Sequence, residues 1–191
     1  MIKTYAMMME ELRGYRSPAN KLGRMVKEGS CTQIIRGLYE TERKTPGYLL
    51  AGSIYGPSYL SFDFALSQYG LIPEAVYAFT SATFEKKKSK KYHTPFGTFT
   101  YRDVPSDVYS YGVRLQREGE YIYQIATPEK ALCDKHYTLS PIKNKEELDQ
   151  LLFEDLRIDE INFAKLDKNR LVKLCEMYHS TNMKMLKKLV R

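Results

Sequence analysis

Near the start of the chain, several side chains have the types and spacing that reading a nucleic acid requires. At 100° per residue of a helix, Asn20, Arg24 and Lys27 project from the face opposite Leu22, Met25 and Val26, with Lys21 flanking them. An amide or a guanidinium can pair bidentately with a base edge in the major groove, whereas ammonium groups hold phosphates and set register. Asn20 and Arg24 are therefore the expected base readers, and Lys21, Lys27 and Arg36 the expected phosphate holders. Ser17 and Gln33 complete the candidate DNA-contacting set. Farther on, the run containing Lys86, Lys87, Lys88, Lys90 and Lys91 is either a solvated loop between strands or a second set of phosphate contacts.

Other constellations carry less. Cys133 with His136 and Cys175 with His179 resemble two halves of a zinc site, because i,i+3 and i,i+4 spacings put each pair on one side of a helix. Helical cysteines are more often small hydrophobes, and no metal or other cofactor is expected. Glu129, Lys130, Asp134 and Lys135 lack the spaced carboxylate partner that two-metal hydrolysis needs, and read instead as a capped helix with surface ion pairs. No glycine-rich phosphate loop or Ser-His-Asp order appears, so an enzyme is not expected. Tyr109, Tyr111 and Tyr121 could stack bases, although tyrosine more usually packs with its edge in water.

The elements that must position the first group are legible. Tyr5, Met8, Met9 and Leu12 form the apolar stripe of a first helix, with Gly14 beyond its end. Ser17-Pro18 starts a second: the hydroxyl takes an orphan N–H, and proline has none to lose. Gly29 stops that helix after Glu28. Cys31–Arg36, a turn at Gly37 and Leu38–Glu40 then read as a two-stranded ribbon. Helix, turn, basic helix and hairpin is the order of a winged helix-turn-helix.

The rest reads as a mixed α/β domain. A helix is expected over Ser58–Tyr69, strands over Ala75–Ser81, Lys91–Thr94, Thr98–Val104 and Tyr121–Ala126, and helices near Pro128–Leu139, Lys145–Asp155, Asp167–His179 and Asn182–Val190. The fold class is α+β, with a small, mostly antiparallel sheet and a helical C-terminus. The Thr41–Tyr48 segment, carrying Thr45-Pro46-Gly47, divides a 1–45 DNA-binding domain from a 46–191 domain.

Composition bounds the function. The 191 residues carry a net charge of +7, and 43% of them are apolar, enough for a core and too many for a disordered chain. Charge is unevenly placed: residues 1–45 hold nine basic and five acidic side chains, residues 46–164 thirteen and sixteen, and residues 165–191 eight and two. A basic head and tail suit a polyanionic partner. Three cysteines cannot all pair, which argues for a reducing compartment, and no apolar stretch approaches a membrane span. The expected location is the cytoplasm.

Two groups of motifs resemble those of a known family. Lys21-Leu22-Gly23-Arg24-Met25-Val26-Lys27-Glu28-Gly29 followed by Arg36-Gly37-Leu38-Tyr39 looks like the N-terminal winged-helix signature of the abortive-infection type IV antitoxins (AbiEi-like). Tyr59-Leu60-Ser61-Phe62, Ala65-Leu66, Tyr69-Gly70-Leu71-Ile72 and the Ala126–Asp134 run resemble motifs of that family's C-terminal domain. One helix precedes the recognition helix here, where many winged helices have two. The resemblance implies an antitoxin that represses its own operon by binding double-stranded promoter DNA. Its C-terminal domain would counter a functionally paired nucleotidyltransferase-like toxin, without contact with the toxin being implied. The alternative is a module that sequesters the toxin directly through its C-terminal domain; a metal-dependent nucleic-acid enzyme ranks last.

Overall fold

The computed structural model describes residues 1–42 and 44–190. Arg43, within the expected boundary segment, and Arg191, counted in the basic tail, lie outside the described residues. The chain is an α+β fold.

The first forty residues form β1 (Ile2–Thr4), α1 (Tyr5–Glu11), α2 (Pro18–Lys27), β2 (Thr32–Ile35) and β3 (Leu38–Glu40). β1 was not expected: three residues are too few to show alternation. It is held by pairing antiparallel to β3, with Lys3 opposite Tyr39, so the ribbon is a three-stranded sheet in the order β1-β3-β2. Met8, Leu12, Leu22, Cys31 and Tyr39 form a small core between the two helices and this sheet. Tyr5 does not join it as the stripe suggested. It is the first residue of α1, its N–H bonded to the Gly37 carbonyl at 2.8 Å, and its side chain remains 46% exposed. Ile34 and Leu38 instead enter the larger core that follows, so the small sheet is packed against the rest of the chain.

Residues 47–190 contain α3 (Ala51–Ile54), β4 (Tyr59–Leu60), α4 (Phe62–Gln68), β5 (Ala78–Thr83), β6 (Lys90–Thr94), β7 (Gly97–Asp103), α5 (Ser106–Tyr109), β8 (Val113–Glu118) and β9 (Tyr121–Ala126). The helices α6 (Pro128–Tyr137), α7 (Lys145–Asp149), α8 (Glu160–Ala164), α9 (Lys168–Met177) and α10 (Thr181–Val190) complete the chain. A 3₁₀ turn, Gly47–Leu50, precedes α3, and a π-helical segment, Gln150–Asp155, continues α7 over the range expected for one helix.

The six strands run β6-β7-β5-β4-β9-β8. The β5–β7 and β4–β9 pairs are parallel and the other three antiparallel, so the sheet is larger and more mixed than its sequence suggested. The Ser58–Tyr69 helix is corrected: Leu60 pairs with Ser81 and Ile125 in the sheet, and Phe62, at φ 54°, turns the chain from strand to helix. β5 also lies later than expected, because its register with β7 runs from Ala78–Thr98 to Thr83–Asp103. Leu66, Leu132, Leu152, Leu174 and Leu186 are fully buried among the helices. Each such side chain stabilises the fold by about 1.5–3 kcal/mol.

Candidate nucleic-acid interface

Local chemistry sets both ends of α2. Pro18 stands at its first turn, where a missing N–H costs nothing. Ser17 does not cap the helix as expected. At ψ 89° its hydroxyl makes no capping bond, whereas Thr127, at ψ 161°, accepts from the Lys130 N–H at 3.3 Å. Gly29, at φ 69°, closes the other end: its N–H reaches the Val26 carbonyl at 3.1 Å and the Ser30 N–H reaches Met25 at 2.8 Å. This pair of bonds is the Schellman arrangement.

With Leu22 buried, helical geometry turns Asn20, Arg24 and Lys27 outward, and all three are exposed. Lys21 is half-buried on the flank, its ammonium 5.3 Å from the Tyr15 ring centre. Neighbouring α1 neutralises its own surroundings: Arg13 bonds Glu10 at 2.6 Å and Lys3 bonds Glu11 at 2.7 Å. Among the described residues, Arg24, Lys27 and Arg36 make no ion pair. From Asn20 to Lys27 the helix rises by roughly 10 Å, about three base-pair steps. Gln33 on β2 and Arg36 beside the Gly37 turn are exposed as well. Their hairpin is tied to α2 through the core shared by Leu22, Cys31 and Tyr39.

The lysine run divides. Lys86 donates to the Gly56 carbonyl at 3.1 Å and lies over the Tyr55 ring; the Lys87 N–H bonds Asp103 at 2.7 Å. Lys88 is exposed, and Lys90 and Lys91 open β6 and line a cleft. The three tyrosines considered for stacking are engaged in packing: Tyr109 against Phe84 and Tyr59, Tyr111 beneath Lys173, and Tyr121 through its hydroxyl to Thr45.

The largest departure concerns α6, whose charged residues are not surface ion pairs. Lys130 and Asp134 are fully buried and 3.1 Å apart, and Glu129 is buried too. Asp134 accepts from Tyr59 at 2.9 Å and Ser61 at 2.6 Å, and also from Tyr178, which in turn accepts from Lys130 at 2.6 Å. Burial pushes the Lys130 ammonium below its ordinary pKa, opposed by the adjacent Asp134 carboxylate. The Tyr59 and Tyr178 hydroxyls are driven well up, first by burial and then by Asp134. Glu129 accepts from the Asp167 N–H at 3.0 Å and Arg170 at 3.2 Å, joining α6 to α9. Closed on all sides, this network fastens β4, α6 and α9 together and presents no reactive group to solvent.

The cysteine–histidine pairs do not converge on a metal. Cys133 and Cys175 are buried against one another, and burial raises the Cys133 thiol pKa well above its ordinary value. His136 is buried and His179 exposed. Among the described residues, no cluster of three or more His, Cys, Asp or Glu side chains could hold a metal ion. Nor, among them, is any helix long and apolar enough to cross a membrane.

A scan against protein-family models finds no match to the chain. A search among curated proteins finds no matching relative.

Proposed function

We propose that this chain is a cytoplasmic, DNA-binding antitoxin of the abortive-infection type IV kind, not an enzyme, which represses its own operon. In this reading residues 1–45 are a winged helix-turn-helix, α2 enters the major groove, and the β2–β3 hairpin is the wing. The observation that carries it is the outer face of α2, where Asn20, Arg24 and Lys27 are exposed and neither cation is neutralised within the described residues. Arg24 and Asn20 read base edges, while Lys21, Lys27 and Arg36 hold phosphates. The domain over 46–191 counters a nucleotidyltransferase-like toxin encoded beside it.

Fluorescence anisotropy on the DNA upstream of the chain's own gene tests this. Three phosphate contacts per bound chain give a slope of log affinity on log salt of about −2.7, roughly a fortyfold loss between 50 and 200 mM salt. Arg24→Ala should cost about 1–3 kcal/mol and relax preference at one base pair, whereas Lys27→Ala should weaken all sequences alike and flatten the slope by about one. Equal binding of operator and scrambled duplexes by the unaltered chain would remove the repressor reading.

One observation favours a second reading, direct sequestration of the toxin by the C-terminal domain. β8 is an edge strand, and Leu115 on it and Ile122 on β9 are 67% and 62% exposed. Co-purification with the adjacent gene product, lost on Leu115→Glu, would establish that contact.

A further inference from the structure

A second cationic site lies far along the chain from α2, in the C-terminal domain. The sheet register makes its floor: Lys91 is paired with Thr100, Thr100 with Thr80, and Arg102 stands two residues farther along β7, so alternation puts these side chains on one face. At β5 that face is covered by the start of α4, where the Thr80 hydroxyl donates to the Ser61 carbonyl at 2.5 Å and accepts from the Phe64 N–H at 3.0 Å. Toward β6 the cover ends, leaving a cleft of about 400 Å³ walled by Phe62 and Asp63 of α4 and by Lys135 of α6.

Three cations, Lys91, Arg102 and Lys135, line this cleft against one carboxylate, Asp63, while the adjacent Lys90, paired with Tyr101, turns its side chain to the opposite face of the sheet. Lys135 is committed to Asp63 at 2.6 Å. Lys91 and Arg102 make no ion pair among the described residues. Like charges gathered around a concavity repel each other, and they focus field onto an anion that enters it. The volume suits one small ligand and excludes a duplex. Phe62, at the wall, holds φ 54°, a conformation unfavourable for a bulky side chain, where the chain turns from β4 into α4.

We propose that this cleft binds a nucleotide. Two unpaired cations, with Lys135 beside them, match the multiple charge of a polyphosphate better than a single carboxylate. Arg102 can grip two phosphoryl oxygens at once, with Lys91 as a point charge beside it. Thr100 adds a hydroxyl donor, and Asp63 provides an acceptor for a ribose hydroxyl or base amino group.

Calorimetric titration of the full chain with ATP, GTP, CTP and UTP, and with pyrophosphate and adenosine, tests this. At least one triphosphate should bind, pyrophosphate should bind more weakly and compete with it, and adenosine should be weaker still. Lys91→Ala combined with Arg102→Ala removes two exposed side chains, so the variant should keep its circular dichroism and melting profile while losing at least tenfold in affinity. Arg24→Ala should leave nucleotide affinity unchanged, which separates the cleft from the α2 face. Absence of binding by all four triphosphates up to millimolar concentration overturns the proposal. So does unchanged affinity in the folded double variant, equal binding of pyrophosphate and the best nucleotide, or a tenfold loss on Arg24→Ala.

Discussion

Replacing Lys130 with Met keeps most of the side-chain volume and removes one charge from the closed network. The Asp134 carboxylate would keep the Tyr59, Ser61 and Tyr178 hydroxyls but lose its counter-ion. Both residues are fully buried, so water cannot replace the ammonium. Removing one member of a buried pair costs about 3–5 kcal/mol, because the partner is left charged in a low-dielectric interior. Attraction of the ammonium to the Tyr178 and Tyr59 rings, at 4.7 and 5.5 Å, is lost with it. For a chain of this length the change lowers the melting temperature by roughly 6–20 °C. Urea denaturation followed by circular dichroism measures it. Adding Asp134→Asn to the Lys130 variant should recover part of the loss, since no bare charge then remains. A loss under about 1 kcal/mol for Lys130→Met, or a double variant less stable than the single one, would refute the charged-pair account. DNA affinity per folded molecule should not change in either variant.

His136 supplies a test by pH. Burial, aided by the Lys135 charge, lowers its pKa from 6.5 to about 4, so the unfolded chain takes up the proton first on acidification. Its contribution to stability is complete above the unfolded value and is lost as pH falls from 6.5 toward 4, reaching about 3 kcal/mol at pH 4. Urea titrations at pH 7 and pH 4 should show this extra loss, and His136→Leu should abolish that part of it; an identical pH profile in the variant would exclude His136 as the cause. Gly47→Ala should destabilise the fold by about 3 kcal/mol, the upper range for overpacking. An added Cβ would lie 2.2 Å from the Phe79 ring and 2.4 Å from the Phe96 carbonyl oxygen, and the latter belongs to the backbone and yields little. A change below about 1 kcal/mol in urea denaturation would contradict this packing.

Some of the molecule follows from short-range preferences alone. Pro18 and Gly29 bracket α2, Thr127-Pro128 opens α6, and the β6–β7 hairpin lies about Pro95-Phe96 as expected. The outward turn of Asn20, Arg24 and Lys27 was legible because helical periodicity and one buried leucine determine it. The Tyr59–Leu60 strand was not, since a two-residue strand has no period and exists only through Ser81 and Ile125 beside it. β8 was missed as well; it is an edge strand along which Arg114 through Glu118 are exposed, so burial imposes little pattern on it.

The site residues divide in the same way. Lys130 and Asp134 stand at i,i+4, a spacing that fits an exposed helical ion pair as well as a buried one. Tyr178 and Tyr59, far along the chain in both directions, decide between them by covering the pair. Lys91, Arg102 and Lys135 likewise become one cleft only when β6, β7 and α6 assemble. Sequence by itself determined where α2 starts and stops, where α6 opens, one hairpin and the cationic face of α2, because those depend on local conformational preference and periodicity over a few residues. Tertiary structure alone decided which charges are buried and which converge, because burial depends on what distant segments lay over a face.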